Sequence, residues 1–284
     1  MTECAAKAEK PEMPLLYDAH CHLQLPRLLH HAPDVVASAQ SAGVMRAAVC
    51  GCEQDDWKLV ERLAAEHSDF VAPQYGVHPW WAGSHAGDLS WVPRLREILE
   101  QSPGAGVGEC GLDAARKKDI PMSEQLRVLE PQLELAKELG RPVSLHCVAA
   151  HGNLLEVLQR VFGRGGHPPG LVLHSYCGSS EMVIPFAKLN CYFSFSASIL
   201  HIPKHATACK AVPRDRLLLE TDSPDQLPKL LQNRATAGPG QGTEDLSPLA
   251  AAWAKPREDE EGQYNEPAML RGICASAAAL LEVE

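Results

Sequence analysis

Short apolar runs alternate with amphipathic stretches along most of the chain. The runs occupy residues 15–20, 46–51, 70–79, 105–113, 142–147, 170–177, 191–198 and 216–224. Each is brief and bounded by Gly, Pro or polar residues, as a buried strand is. Between them, residues 33–43, 55–67, 89–101, 123–140, 152–163, 179–190 and 204–213 carry a helical period. Trp57, Val60, Leu63 and Ala64 form one apolar stripe, and Leu126, Leu129, Leu133 and Ala136 another. Gly43 and Gly140 stand where a helix would stop, Pro93 suits an opening turn, and Pro131 would bend the longest helix. Strands and helices in alternation predict βαβ units and a parallel sheet. Eight repeats favour a (β/α)8 TIM-type barrel, an α/β fold, over an open doubly wound sheet.

One region breaks the rhythm. Residues 226–263 are rich in Gly, Pro and acidic residues and poor in apolar ones. That composition predicts a mobile insertion with a short helix at 247–254. Apolar periodicity returns at 266–283 as a final helix that would close the barrel. Residues 1–14 mix both charges without an apolar centre, and read as a flexible tail rather than a secretory signal. The expected organisation is this tail followed by one barrel over residues 15–284.

A length of 284 residues, 45% of them hydrophobic, suits a single large domain. No apolar run reaches the ~18 residues of a membrane span, so no membrane partner is expected. The expected location is intracellular, cytoplasmic or nuclear, where the ten cysteines would remain reduced. Cys50 and Cys52 form C-x-C rather than the C-x-x-C of redox sites and zinc ribbons. A formal net charge of −10 argues against a broad nucleic-acid-binding face. It leaves room for a short basic patch beside a bound cation.

In such a barrel the chemistry gathers at the C-terminal ends of the strands. Residues two apart on a strand face the same way, so His20 and His22 project together as half of a divalent-metal site. Further ligand-type residues fall near other strand ends: His78 on the third, Glu109 on the fourth, His146 on the fifth, His174 on the sixth and Asp222 on the eighth. Scattered in sequence, they would meet at one rim. Cys21, Cys110 and Cys147 each adjoin one of them and would therefore face the helices as packing residues. His30, His31, His67, His85, His167, His201 and His205 fall in loops or helices and receive no role.

The segments "DAHCH", "GVHP", "GECGLD", "PVSLHC", "LHSYCGS", "LLLETDSP" and "NEP" follow one another in the order of a known family. From about residue 15 to 284 the chain resembles the TatD family of metal-dependent hydrolases, amidohydrolase-like barrels often described as deoxyribonucleases. The resemblance implies a centre for two divalent ions, Zn, Mn or Mg. His20, His22 and Asp222 would bind one ion, His146 and His174 the other, and Glu109 would bridge them. Asp222 would also take the proton of the attacking water, which makes Asp222 and Glu109 the expected catalytic residues. By residue type, His78 could meet substrate phosphate or water rather than metal, and the basic run Arg116, Lys117 and Lys118 could meet a phosphate backbone near the rim or be an exposed charge run at a helix entry. Asp18 could orient His20, Glu220 lies deeper on the face of Asp222, and Asp113 could cap the loop after the fourth strand.

The activity so implied is cleavage of phosphodiesters by a monomeric 3′–5′ exonuclease acting on single-stranded or frayed DNA. An esterase or deacylase could use the same centre, since fold does not fix substrate. A non-catalytic, partner-binding barrel is a third reading, opposed by the intact ligand set. Two features depart from the family pattern. Some forty residues separate "ETD" from "NEP", and the chain stops soon after "NEP". Neither removes an expected ligand.

Overall fold

The computed structural model describes residues 14–163, 169–232 and 252–283. Eight strands form one sheet in chain order: β1 (Leu16–Cys21), β2 (Val44–Cys50), β3 (Val71–Tyr75), β4 (Gly106–Asp113), β5 (Val143–Val148), β6 (Leu171–Leu173), β7 (Cys191–Phe195) and β8 (Leu217–Leu219). Every neighbouring pair is parallel. Helices follow each of the first seven strands, from Ala32–Ser41 to Pro203–Ala211, and Leu270–Leu281 ends the set. The expected (β/α)8 barrel is therefore the fold, nearly closed on itself.

Period-two alternation builds its walls. Val143, Leu145 and Cys147 of β5, Leu171 and Leu173 of β6, and Cys191, Phe193 and Phe195 of β7 are buried in the apolar core shared with the helices. Each large side chain so buried contributes about 1.5–3 kcal/mol. Cys21 and Cys110 lie in the same core, the helix-facing side expected for them. The alternate residues turn inward. Ser144 Oγ lies 2.9 Å from His20 Nδ1 across the barrel, and Ser194 Oγ donates to the Glu220 carboxylate. The longest helix, Met122–Leu139, runs on past Pro131 and ends at Gly140, whose φ of 65° suits glycine.

The seam between β8 and β1 is held mainly beyond the end of β8. The Asp222 N–H donates to the His20 carbonyl at 3.0 Å, and the His22 N–H donates to the Ser223 carbonyl at 2.7 Å. Beneath these bonds the buried Asp18 carboxylate accepts from Thr221 N–H at 2.9 Å and from Thr221 Oγ1 at 2.6 Å. Asp18→Ala would leave the buried Thr221 N–H unpaired, and should cost about 2–4 kcal/mol of unfolding free energy. Urea denaturation measures this directly. A loss below about 0.5 kcal/mol would show that the seam does not depend on the carboxylate.

Residues 1–13 of the expected tail and 233–251 of the expected insertion lie outside the described residues, as does most of the helix expected at 247–254. The described ends of the 226–263 segment carry structure. Lys229–Gln232 is a helical turn, and Arg257–Asp259 pairs antiparallel with Gly262–Tyr264. Leu227, Leu230, Leu231 and Trp253 pack on Met269 and Ile273 of the C-terminal segment. Trp253 sits on Gly272, where an added Cβ would come within 2.1 Å of the indole. Arg27 anchors the hairpin through Asp259 at 2.6 Å. Among the described residues, no helix is long and apolar enough to cross a membrane.

Candidate metal centre

The rim where the strands end brings His20, His22, Glu109, His146, His174 and Asp222 together, all by different routes. His20 is in β1 and His22 just past it, Glu109 is in β4, and His146 is in β5. β6 and β8 are shorter than the sequence suggests, so His174 and Asp222 stand in the loops that follow them. Asp222 adopts a φ of +54°, a left-handed conformation that Asp tolerates better than most residues. Gly111 allows β4 and β5 to approach. Its φ is +151°, and an added Cβ would lie 2.0 Å from the His146 carbonyl oxygen.

Glu109 is the hub. Its Oε2 lies 3.2 Å from His20 Nε2 and 3.3 Å from His22 Nε2. Its Oε1 lies 2.9 Å from His146 Nδ1 and 2.7 Å from His174 Nε2. Asp222 Oδ1 stands nearer the first side, 3.5 Å from His22 Nε2 and 3.8 Å from His20 Nε2, and Asp222 also groups with His174 and Glu220. Each carboxylate oxygen of Glu109 thus addresses its own pair of histidines.

Hydrogen bonds decide which nitrogens can act as ligands. His22 Nδ1 lies 2.9 Å from the Cys50 carbonyl, which can only accept. Nδ1 therefore carries a proton, and Nε2, which faces Glu109, Asp222 and His20, is the atom a cation would take in place of a second proton. An Nε2–Nε2 distance of 3.2 Å between His20 and His22, with two carboxylates beside them, gathers acceptors around one point. Such a set fits a divalent cation. His78 is built the other way. Its Nδ1 accepts from the Trp80 N–H at 3.1 Å, leaving Nε2–H to donate to Glu109 Oε1 at 3.2 Å. In this arrangement it is a hydrogen-bond donor to Glu109, although it also groups with Glu109 and His146 as a set that could hold a metal. Asp18 does not orient the His20 ring. It accepts from the His20 backbone N–H at 3.3 Å, and Ser144 is the ring's partner.

The electrostatics point the same way. Burial opposes charge on His22, but Cys52, Asp222 and Glu109 outweigh it and hold its pKa well above the ordinary value. Burial likewise opposes charge on His174, and Glu109 and Glu220 overcome it. His20, deepest and flanked by both, is lowered by burial and by His174. Burial works against an ionised Glu109, yet His174, His78 and His20 hold it well below the usual carboxylate range. Asp222 is brought down to about 2, against burial, by His22, His174 and His20. A field that holds protons on buried imidazoles attracts a cation to the same place.

Around the ligand cluster, some residues the sequence names take their place and others enter that its pattern does not mark. Asp113 caps the turn after β4, accepting from the Ala115 N–H at 2.9 Å, and also reaches the centre. Its Oδ2 lies 3.4 Å from His146 Nε2 and accepts from Trp80 Nε1 at 2.7 Å. Gln226 donates to Asp222 Oδ2 at 2.5 Å. Cys52 Sγ stands 3.6 Å from His22 Nδ1. Arg116 lies over the Trp80 ring at 4.7 Å, while Lys117 and Lys118 are exposed and form no ion pair among the described residues. Cavities of about 140 and 430 Å³ flank the centre and share His146, His174 and Asp222. The larger is lined in part by His201 and His205, histidines that the sequence leaves without a role.

The profile of the family described as TatD related DNase matches residues 17–284. The chain belongs to that family. A protein named 3′-5′ ssDNA/RNA exonuclease TatD from Edwardsiella piscicida is 35% identical over 209 residues, covering 70% of this chain and 76% of that protein. Its namesake from Klebsiella pneumoniae (strain 342) is 30% identical over 271 residues, covering 93% and 89%. Among solved structures, the TatD homologue YJJV of Escherichia coli K12 superposes with a TM-score of 0.74 at 26% identity, covering 93% of this chain and 90% of that one. The chain is thus a member of a metal-dependent hydrolase family, with His/Glu/Asp clusters that could hold metal.

Proposed function

We propose that the chain is a two-metal phosphodiesterase that shortens single-stranded nucleic acid from its 3′ end. The observation that carries this reading is the split of Glu109, one oxygen toward His20 and His22 and the other toward His146 and His174. His20, His22 and Asp222 would hold one ion, His146 and His174 the other, with Glu109 between. Bound there, a pair of divalent ions supplies Lewis acidity that lowers the pKa of water and offsets charge on the phosphoryl group. Glu109 supplies the negative charge that lets two cations approach. Asp222, ionised at neutral pH, receives the proton of the attacking water. His78 keeps its Nε2–H directed into the centre, where it can donate to a phosphate oxygen. Arg116, over the Trp80 ring, and the exposed Lys117 and Lys118 that follow it would meet the strand's phosphates. The names of the relatives support the choice of nucleic acid as substrate.

The test is a substrate panel on protein stripped with a chelator and reloaded with Zn, Mn or Mg. Single-stranded DNA, RNA and simple acyl esters are compared, with the label at the 5′ end. Chelation should abolish turnover and at least one metal should restore it on a nucleic acid, giving a ladder that shortens from the 3′ end. Ester turnover by the reloaded protein that leaves both nucleic acids intact would replace this reading with the esterase or deacylase one.

A further inference from the structure

Trp80 is exposed where a tryptophan has little reason to be. The residue is 46% accessible, whereas Trp57 and Trp91 are buried in the core. The other strongly exposed aromatic, Tyr17, stands near the start of β1, at the opposite end of the barrel from the rim. Trp80 instead lines the smaller cavity beside the centre. It is also held in place. Its Nε1–H is fixed by the buried Asp113 carboxylate at 2.7 Å, and that carboxylate touches His146. Its ring meets His78 edge-on at 5.0 Å. Arg116 lies over its face at 4.7 Å and forms no ion pair among the described residues.

A rigid, half-exposed indole with an uncommitted guanidinium on its face, two side chains from Glu109, is the combination that single-strand binding sites use. The aromatic face accepts any base, and the cation meets the backbone. We infer that Trp80 is a stacking platform for a nucleobase flanking the scissile phosphate, with Arg116 moving from the indole face to the strand's phosphate when a base arrives. This subsite rests on the phosphodiesterase reading and adds to it a requirement for a base, not merely a phosphodiester. Because an aromatic face does not distinguish bases, it predicts little preference among sequences.

The test compares strands that carry all their bases with strands made abasic at the terminal or the penultimate 3′ nucleotide. Binding is measured by fluorescence anisotropy under chelation, where no cleavage occurs, and kcat/KM is measured with metal. The wild-type protein should favour the base-bearing strand over one of the abasic strands about 10- to 100-fold, mostly through binding and KM. Trp80→Ala should bring that preference to within about threefold of unity, and Trp80→Phe, which keeps a stacking face but loses the N–H to Asp113, should retain most of it. A role confined to holding Asp113 and His146 would weaken all strands alike and leave the preference intact in Trp80→Ala. That result, or a wild-type protein that degrades both kinds of strand equally, would overturn the subsite and leave the nuclease reading standing. Failure to bind or cleave any strand would remove both.

Discussion

Glu109→Gln is expected to lower turnover by about a thousandfold or more without unfolding the protein, because activation of water and phosphate by the centre accounts for several kcal/mol of barrier. The substitution keeps the shape of the side chain and changes its chemistry in two ways. It removes a negative charge that lies among five histidines, His78 included, and it replaces one acceptor oxygen with an N–H2 donor. Since Oε1 and Oε2 face different histidine pairs, one pair must then meet a donor where it met an acceptor. Two cations could no longer share the group. The barrel should survive, since its core is built from the outward faces of the strands and the inward faces of the helices. Far-UV circular dichroism, metal content and turnover on one preparation give the answer. A folded variant with two ions per chain and turnover near that of the wild type would end the bridging assignment.

The parts of this site that can be read from the sequence are those governed by a period. His20 and His22 share a side because a strand repeats every two residues. The rim rule then gathers Glu109 and His146 from β4 and β5, and the cysteines beside them fall on the opposite face. His174 and Asp222 lie past the ends of short strands, so their approach depends on loop conformations. Asp222 reaches the centre through a left-handed backbone and a seam of hydrogen bonds to β1, and no pattern of apolar positions encodes either. The difference between His22 and His78 is finer still. Both are histidines at the rim, and only the partner of Nδ1, a carbonyl in one case and an N–H in the other, separates a ligand from a donor. Trp80, Gln226 and the reach of Asp113 to His146 escape notice for the same reason. Trp80 and Asp113 meet between turns 33 residues apart, Gln226 reaches Asp222 through the conformation of a single loop, and residue type alone gives an Asp or a Gln in a loop no distinguishing mark. Ser144 would have needed the cross-barrel register to be recognised as the partner of His20.

Asp222→Asn should divide the two halves of the centre. Asp222 makes its shortest approaches to a histidine on the His20 and His22 side, through Oδ1, while Gln226 holds its Oδ2 at 2.5 Å. Asn fits the same volume and is among the residues most at ease at positive φ, so the loop and the seam bonds of its backbone should persist. The charge would be lost, and with it the group that receives the proton. Glu109, His146 and His174 would remain as they are. The expected result is therefore a fall from two ions per chain toward one, together with a loss of turnover of about a hundred- to ten-thousandfold, the range associated with removing a positioned proton acceptor. Gln226→Ala provides the comparison. It removes the partner that aims Asp222 but leaves the carboxylate, so both ions should remain and turnover should fall by only about tenfold, the equivalent of one misplaced hydrogen bond. Metal analysis by mass spectrometry and turnover on single-stranded DNA separate these cases. If Asp222→Asn kept both ions and cleaved at the wild-type rate, Asp222 would be neither ligand nor base, and the left-handed turn that carries it into the centre would serve only the barrel seam.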